Sequence, residues 1–284
     1  MTGPSQGAHG SIKAGVMGWP VDHSRSPAVH GYWLKTYGIH GTYERLPVRP
    51  EGLAAALRSL ADDGYAGVNL TVPHKVAAMT IVDELSPEAL RIGAVNTIFV
   101  TPQGRLKATN TDAYGFITNL KNSAPRFDPK LGPAIVLGAG GAARAICIAL
   151  EDAGVPEVCI INRTIERAEL LARDLRKSAV VAPWADRATR LKNASLVVNT
   201  TSLGMKGQAP LEIDLDHLPP EATVTDIVYV PLETPLLAAA RLRGNPVVDG
   251  LGMLLYQAQL GFEGWFGKRP EVTPALRDHV LAAG

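Results

Sequence analysis

Short apolar runs alternate with stretches of helical periodicity along most of the chain, and glycine or proline marks each change of period. Residues 12–17 are an apolar run that predicts a strand, closed by the turn Gly18-Trp19-Pro20. Ser26 then suits a helix N-cap and Pro27 a first helical position, and the helix runs to Tyr37, where Gly38 stops it. The same punctuation predicts a strand at 42–48, a helix at 53–63 closed by Gly64, a strand at 66–72 and a helix at 74–85. Residues 97–101 and 105–109, joined by Pro102-Gln103-Gly104, read as an added hairpin. Strands alternating with helices predict a parallel sheet.

The second half repeats the alternation more regularly. A helix is expected at 112–122, and 123–133 holds three prolines and reads as a connection. Strands are expected at 134–137, 158–161, 180–182, 196–199, 224–229 and 247–248. Helices are expected at 142–150, 165–178 and 234–243, with Gly244 after the last, and from 253 to the end. This half reads as a doubly wound dinucleotide domain and the first half as a smaller α/β domain, with the C-terminal helices packing on either. The chain shows no internal repeat and no low-complexity tract.

Within the second half, the stretch LGPAIVLGAGGAARAICIAL at 131–150 passes from strand through glycine turn to helix. That context gives Gly138-x-Gly140-x-x-Ala143 a physical meaning. Gly138 permits a tight turn, Gly140 lets a pyrophosphate approach the backbone, and Ala143 lets the helix pack close to the strand. The N–H groups opening the helix then face an anion. The competing reading is a glycine-rich connection with no ligand.

Composition narrows the classes. The chain has 284 residues, 46% hydrophobic and 19% charged, which suits one large or two ordinary domains with a substantial core. Its net charge of +1 comes without a basic run, which argues against a nucleic-acid surface. Cys147 and Cys159 each sit in an apolar stretch and read as buried thiols of a reducing compartment, with no disulfide and no metal cluster. Residues 1–11 lack the charged start and apolar run of a signal peptide and read as a disordered tail. No apolar run reaches transmembrane length, and the sequon Asn162-Arg163-Thr164 carries no weight without a secretion signal.

Four groups of residues carry candidate chemistry. After the second strand of the dinucleotide half stands Asn162-Arg163-Thr164-Ile165-Glu166-Arg167. No acid waits there for a ribose hydroxyl. Arg163 and, one turn on, Arg167 offer charge-assisted pairing to a 2′-phosphate, which favours NADP. Both otherwise read as solvated residues at a helix start, capped by Thr164. Lys75, in Asn69-Leu70-Thr71-Val72-Pro73-His74-Lys75, falls in a first helical turn, where a cation opposes the dipole; a solvated surface lysine is the alternative. Asp112 follows Asn110-Thr111, and either Thr111 or Asp112 suits an N-cap, while Lys with Asp is also a workable acid–base pair. Ser24 and Ser26 flank Arg25 and present two hydroxyls to a small anionic group, unless Ser26 is only a cap and Ser24 only a loop residue.

Together the short motifs resemble the shikimate dehydrogenase family. They are Gly18-x-Pro20-x-x-His23-Ser24-x-Ser26-Pro27, Asn69-x-Thr71-x-Pro73-x-Lys75, Gly93-Ala94-Val95-Asn96-Thr97 and Asn110-Thr111-Asp112 in the first half. In the second half they are Gly138-Ala139-Gly140-Gly141-Ala142, Asn162-Arg163-Thr164, Asn199-x-Thr201-Ser202-x-Gly204-Met205 and Gly250-Leu251-Gly252-Met253-Leu254-x-x-Gln257. The resemblance covers nearly the whole chain. It implies an α/β fold with an N-terminal substrate domain at 1–112, a Rossmann-type NADP-binding domain at 113–252, and C-terminal helices at 253–284 packing back on the substrate domain. It implies NADP-linked reversible reduction of 3-dehydroshikimate to shikimate, in aromatic amino acid biosynthesis, in a cleft between the domains. By this resemblance Ser24 and Ser26 bind the substrate carboxylate. Thr71, Lys75, Asn96, Asp112 and Gln257 surround the hydroxylated ring with Tyr229 nearby, and Lys75 and Asp112 are the catalytic pair. The cofactor meets Gly138, Ala139, Gly140, Gly141, Ala142, Asn162, Arg163, Thr164, Arg167, Ile227 and Gly250. A cytoplasmic monomer or homodimer is expected, with a small-molecule substrate and neither nucleic acid nor membrane as partner.

Two departures stand out: Ala113 where the family commonly has Gly, and Leu70 where Val is usual. Neither touches the implied chemistry. The alternatives are a quinate/shikimate dehydrogenase of broader use and a non-catalytic NADP-binding sensor. Ser26 in place of the Thr of several quinate enzymes favours shikimate, and a sensor has no need of Lys75 and Asp112.

Overall fold

The computed structural model describes residues 11–175 and 179–283. Of the expected tail, residues 1–10 lie outside the described residues, as do residues 176–178, where the helix expected at 165–178 was to end. Contacts divide the chain into two compact units, one drawn from Met1–Thr111 and Ala258–Gly284, the other from Asp112–Gln257.

The first unit opens with β1 (Ile12–Gly18), α1 (Ser26–Tyr37), β2 (Gly41–Pro47), α2 (Leu53–Ser59), β3 (Tyr65–Leu70) and the single-turn α3 (His74–Ala77). It continues with β4 (Glu84–Leu85), α4 (Pro87–Ile92), β5 (Thr97–Val100) and β6 (Leu106–Thr109). The sheet order is β2-β1-β3-β5-β6-β4. β1 runs parallel to β2 and β3, and the expected hairpin β5–β6 adds antiparallel strands beside β3. α1 stops at Gly38, whose φ of 62° is the left-handed conformation that a Cβ disfavours.

The helix expected at 74–85 is a correction. It ends after one turn, passes through a short 3-10 turn at 78–80, and gives way to β4. The Asp83 carboxylate captures the backbone N–H of Leu106 at 2.7 Å, and β4 pairs with β6. Pro87 then holds Ser86 extended and starts α4. The Ser86 hydroxyl caps that helix by accepting the Ala89 N–H at 3.1 Å, a cap the hydrophobic pattern does not reveal.

The second unit contains α5 (Asp112–Ser123), β7 (Ala134–Leu137), α6 (Gly141–Ala153), β8 (Val158–Asn162), α7 (Ile165–Arg173) and β9 (Ala179–Pro183). β10 (Leu196–Asn199), β11 (Thr223–Asp226), α8 (Pro235–Leu242) and β12 (Val247–Val248) follow. α9 (Leu251–Phe266) begins in this unit and runs into the first, where α10 (Pro274–Ala282) ends the described chain. All strand pairs of the sheet β12-β11-β10-β7-β8-β9 are parallel. Read from β9, this is the doubly wound order in which the strand order reverses beside β7.

The central strands β7, β8 and β10 are near-continuous apolar runs because both faces are covered. Val136, Ile160 and Val198 pack with Ile146 and Leu150 of α6 and Leu171 of α7. The alternate residues Leu137, Cys159, Ile161 and Val197 pack with Leu236, Leu237 and Ala240 of α8 on the other side. Each fully buried Leu or Ile contributes about 1.5–3 kcal/mol, and truncating one to Ala costs about 2–5 kcal/mol. Cys147 and Cys159 are free and buried, and burial pushes their thiols up to about 12 and about 11.

Candidate functional site

In the first unit the candidate residues leave the carboxyl ends of parallel strands, where open α/β sheets place their ligands. Met17 of β1 and Leu70 of β3 are register partners, and the two following segments stay joined by Thr71 N–H to Met17 O at 2.9 Å and Trp19 N–H to Val72 O at 3.0 Å. Ser24 and Ser26 stand together in the turn after β1, both buried, with the Ser26 N–H donating to Ser24 Oγ at 3.3 Å. Arg45 of β2 clamps this turn from behind, its Nη2 and Nε donating to the Ser24 carbonyl at 2.8 and 3.2 Å.

The helix-cap reading of Ser26 is corrected. The N-cap position of α1 is Arg25, without a side-chain cap, and Ser26 is already inside the first turn. Tyr43 of β2 donates its hydroxyl proton to Asn69 Oδ1 at 2.6 Å.

Lys75 sits half-buried in α3, and its carbonyl accepts the Val95 N–H at 2.7 Å, which ties it to the segment carrying Asn96. Asn96 is 2% exposed. Its Oδ1 accepts the Thr111 N–H at 2.8 Å and the Thr97 hydroxyl at 2.9 Å, and its Nδ2 donates to Thr111 Oγ1 at 3.0 Å. Thr71 is half-buried beside Leu70 and its carbonyl accepts the His74 N–H.

In the second unit, β7 ends at Leu137 and the glycine turn opens α6, as the motif predicts. Gly138 has φ +115°, and a Cβ there would stand 2.5 Å from Thr200 Oγ1. Thr200 follows β10, so the turn lies between β7 and β10, at the reversal of strand order. A Cβ on Gly140 would meet nothing within 4 Å, which is the room a pyrophosphate needs at the start of α6. Asn162 Nδ2 donates to the Thr164 carbonyl at 2.7 Å. Thr164 occupies the N-cap position of α7 but makes no side-chain cap, which corrects its expected role. Arg163 and Arg167 are exposed, and neither forms an ion pair among the described residues.

Gly250 lets the chain pass against Ile227; a Cβ there would fall 2.3 Å from the Ile227 carbonyl. Tyr229 is half-buried in the same segment. Asp112, 5% exposed, opens α5, and one turn on, a Cβ on Gly115 would lie 2.7 Å from Gln257 Cβ. Asp112 thus shares the helix face that meets Gln257. Gln257 Nε2 donates to the Leu254 carbonyl at 3.1 Å.

Three supporting residues are not apparent from sequence patterns: Arg45, Tyr43 and Asp226. The Asp226 carboxylate closes β11 and accepts from Asn199 Nδ2, the Val228 N–H and the Thr234 hydroxyl at 3.0, 2.9 and 2.8 Å. Burial raises its pKa above the usual carboxylate range. It holds the segment bearing Ile227 and Tyr229 against the loop after β10. An acid ending an apolar strand is the signal that finds it. No group of three metal-ligating side chains occurs among the described residues, and no described helix is long and apolar enough to cross a membrane.

Comparison with known proteins agrees with this layout. Residues 16–98 match the family model described as shikimate dehydrogenase substrate binding domain, 126–205 that of shikimate / quinate 5-dehydrogenase, and 250–277 that of the shikimate 5'-dehydrogenase C-terminal domain. A shikimate dehydrogenase (NADP(+)) of Paramagnetospirillum magneticum is 57% identical over 269 residues, 95% of this chain and 98% of that protein. One from Rhodospirillum rubrum is 55% identical over 94% of this chain and 96% of its own length. Among solved structures, shikimate 5-dehydrogenase from Thermus thermophilus in complex with NADP(H) and shikimate superposes with a TM-score of 0.84 at 40% identity, covering 96% and 99% of the two chains. A quinate dehydrogenase from Corynebacterium glutamicum in complex with NAD gives 0.89 at 32% identity over 96% and 99%. With its motifs in family order, its two sheets equipped as described and this identity across nearly its whole length, the chain belongs to the shikimate dehydrogenase family.

Proposed function

We propose that this protein catalyses the NADP-dependent, reversible reduction of 3-dehydroshikimate to shikimate, as a step of aromatic amino acid biosynthesis. The observation that carries the reading is that one chain equips both sheets. A glycine cradle with open space over Gly140 lies in the second unit, and Ser24, Ser26, Lys75 and Asn96 gather at one sheet edge in the first. The first unit is the substrate unit and the second the cofactor unit.

Ser24 and Ser26 hold the substrate carboxylate, and Thr71, Asn96 and Gln257 take the ring hydroxyls, with Tyr229 nearby. NADPH supplies hydride to the ring ketone when bound. The N–H groups after Gly140, and Ala139, Gly141 and Ala142 around them, cradle its pyrophosphate. Asn162, Arg163, Thr164 and Arg167 hold the adenosine 2′-phosphate, an assignment supported by two exposed guanidinium groups without ion pairs among the described residues. Ile227 and Gly250 flank the nicotinamide end. As negative charge grows on the ketone oxygen, the Lys75 ammonium stabilises it and then donates a proton at that oxygen. Asp112 orients Lys75 and shares its proton network; in the oxidation direction Lys75 accepts the proton. The protein works in the cytoplasm as a monomer or homodimer, a placement supported by its two unpaired thiols.

Quinate is the competing substrate, favoured by the likeness to the Corynebacterium glutamicum enzyme. Purified protein supplied with shikimate and NADP should generate NADPH absorbance, with far less on quinate or with NAD. Quinate turnover equal to or above that of shikimate at matched concentrations overturns the assignment, and no turnover on either removes the enzymatic reading.

A further inference from the structure

We propose that the Asp226 carboxylate biases the cofactor site toward the oxidised form, its charge favouring the cationic nicotinamide of NADP+ over the neutral dihydronicotinamide of NADPH. This rests on the assignment of Ile227 and Gly250 to the nicotinamide end.

Asp226 is the last residue of β11 and is fully buried, at 0% exposure. Its register partner is Asn199, the last residue of β10. Each side chain turns its own chain in the same way: Asn199 Oδ1 accepts the Thr201 N–H at 3.0 Å, and Asp226 Oδ1 accepts the Val228 N–H at 2.9 Å. Ile227 lies inside the second turn, and its carbonyl packs on Gly250, where a Cβ would fall 2.3 Å away. The residue that follows Asp226 is therefore one assigned to the nicotinamide end.

Every donor aimed at this carboxylate has its direction fixed independently. The Val228 N–H is backbone and only donates. The Asn199 amide keeps its oxygen on the Thr201 N–H and its NH2 on the Leu203 carbonyl at 3.0 Å, so it is NH2 that reaches Asp226 Oδ1 at 3.0 Å. The Thr234 hydroxyl accepts the Leu237 N–H as the cap of α8, which leaves its proton for Asp226 Oδ2 at 2.8 Å. A protonated carboxyl would bring a further hydrogen to a site already supplied with donors, so the set fits the ionised form. None of these donors is a cation, and no ion pair reaches Asp226 among the described residues.

An asparagine at 226 could hold the same partners, through Oδ1 to Asn199 and Val228 and through Nδ2 to Thr234 Oγ1. Burying an ion costs more than burying an amide. Burial accordingly raises the Asp226 pKa, and the hydrogen bonds from Val228, Asn199 and Thr234 pull it back. The charge is more than the turn requires, and it stands where water and salt screen it least. When NADPH gives up hydride, its nicotinamide ring passes from neutral to cationic while its phosphates keep their charge. A fixed anion beside the ring therefore separates the two forms of the cofactor, and it stabilises the ring as positive charge grows on it during reduction of the ketone.

The experiment is calorimetric titration of wild type, Asp226→Asn and Thr234→Val with NADP+ and, separately, with NADPH. Asparagine keeps the shape and removes the charge. The dissociation constant for NADP+ should therefore rise about 5- to 20-fold relative to that for NADPH, the scale of one unit charge acting from a neighbouring residue at an effective dielectric constant of about 20. Thr234→Val breaks one tie and leaves the charge, so the ratio of the two constants should stay near wild type. Should Asp226→Asn fold poorly, Asp226→Ser, whose hydroxyl can still accept the Val228 N–H, must shift the ratio in the same direction. An Asp226→Asn protein that binds both forms as wild type does, or loses affinity for both alike, overturns the electrostatic role and leaves the enzymatic assignment standing. A Thr234→Val protein whose ratio moves as far does the same. A wild-type protein that binds neither NADP+ nor NADPH removes the cofactor assignment as well.

Discussion

Gly140 and Gly138 stand two residues apart in the same turn, and replacing each by Ala should fail in opposite ways. Gly140 has φ −88° and ψ −173°, extended backbone open to any residue, and an added Cβ meets nothing within 4 Å. Ala there loses a few tenths to about 1 kcal/mol as a poorer N-cap and recovers about 0.4–1 kcal/mol from a less flexible unfolded chain. The fold should therefore be indifferent, with a melting shift of about 2–4 °C at most. The space the methyl fills is where the pyrophosphate is proposed to lie. Losing one backbone hydrogen bond to a charged group costs about 1.5–3 kcal/mol, so the KM for NADP should rise at least about 10-fold. Gly138 is the reverse case. Its φ of +115° strains any L residue, and the new Cβ would press on Thr200 Oγ1 at 2.5 Å. That hydroxyl is already bonded to the Leu137 carbonyl at 2.7 Å and has little freedom to move away. Strain and overpacking together cost about 2–6 kcal/mol, a large share of the 5–15 kcal/mol that hold a protein folded. The assay is thermal unfolding with and without NADP, beside cofactor kinetics. A folded Gly140→Ala protein with wild-type NADP affinity would refute the placement of the pyrophosphate, and a Gly138→Ala protein of unchanged melting temperature would refute the strain argument.

Three further outcomes are expected. Lys75→Met should lower kcat for shikimate by about 10²–10⁴-fold while the NADP KM stays level, and near-normal turnover would remove Lys75 from the chemistry. Arg163→Ala should weaken NADP binding roughly 10- to 150-fold and leave NAD use unchanged; equal weakening of both would make the arginine structural. His30 is fully buried with neither ring nitrogen partnered among the described residues, and burial lowers its pKa to about 3. A histidine so depressed binds its proton only in the unfolded chain between about pH 6.5 and 3, so it stabilises the fold above that window and loses the contribution as pH falls through it. Denaturant unfolding should therefore show His30→Phe, which keeps a ring on Tyr43, less sensitive to acid over that range than wild type; an identical pH dependence would show that His30 does not titrate on unfolding.

The doubly wound unit is legible in the sequence because its central strands are buried on both faces. Runs such as Ala134–Leu137 and Leu196–Asn199 leave only one reading, and glycine supplies the boundaries. Residues 74–85 lack that clarity. Their helical pattern is overruled by Asp83, whose carboxylate takes the N–H of a residue more than twenty positions away. Ser26 misleads differently: a serine before Pro27 suits a cap, but the helix begins at Ser26 itself and leaves Arg25 in the cap position. Thr164 is a cap by position and not by contact, since the Thr164 carbonyl, not its hydroxyl, is the atom engaged by Asn162.

This difference follows from how the two units recognise their ligands. The glycine turn binds through backbone N–H groups, which every residue owns, and what matters is the missing side chain. That requirement is local, so three glycines and an alanine between a strand and a helix suffice to announce it. The substrate edge works through side chains, and a hydroxyl or amide has no fixed direction until its neighbours assign one. Asn96 is visible in its motif, but that its oxygen faces inward is decided by Thr97 and Thr111, and the orientation of Asn69 by the Asn96 carbonyl together with Tyr43, which no motif contains. Specificity for a polyhydroxylated ring depends on donors and acceptors facing the right way, since a misdirected buried partner costs more than a missing one. The residues that set those directions therefore matter as much as those that touch the ring, and they have to be sought one hydrogen bond behind it.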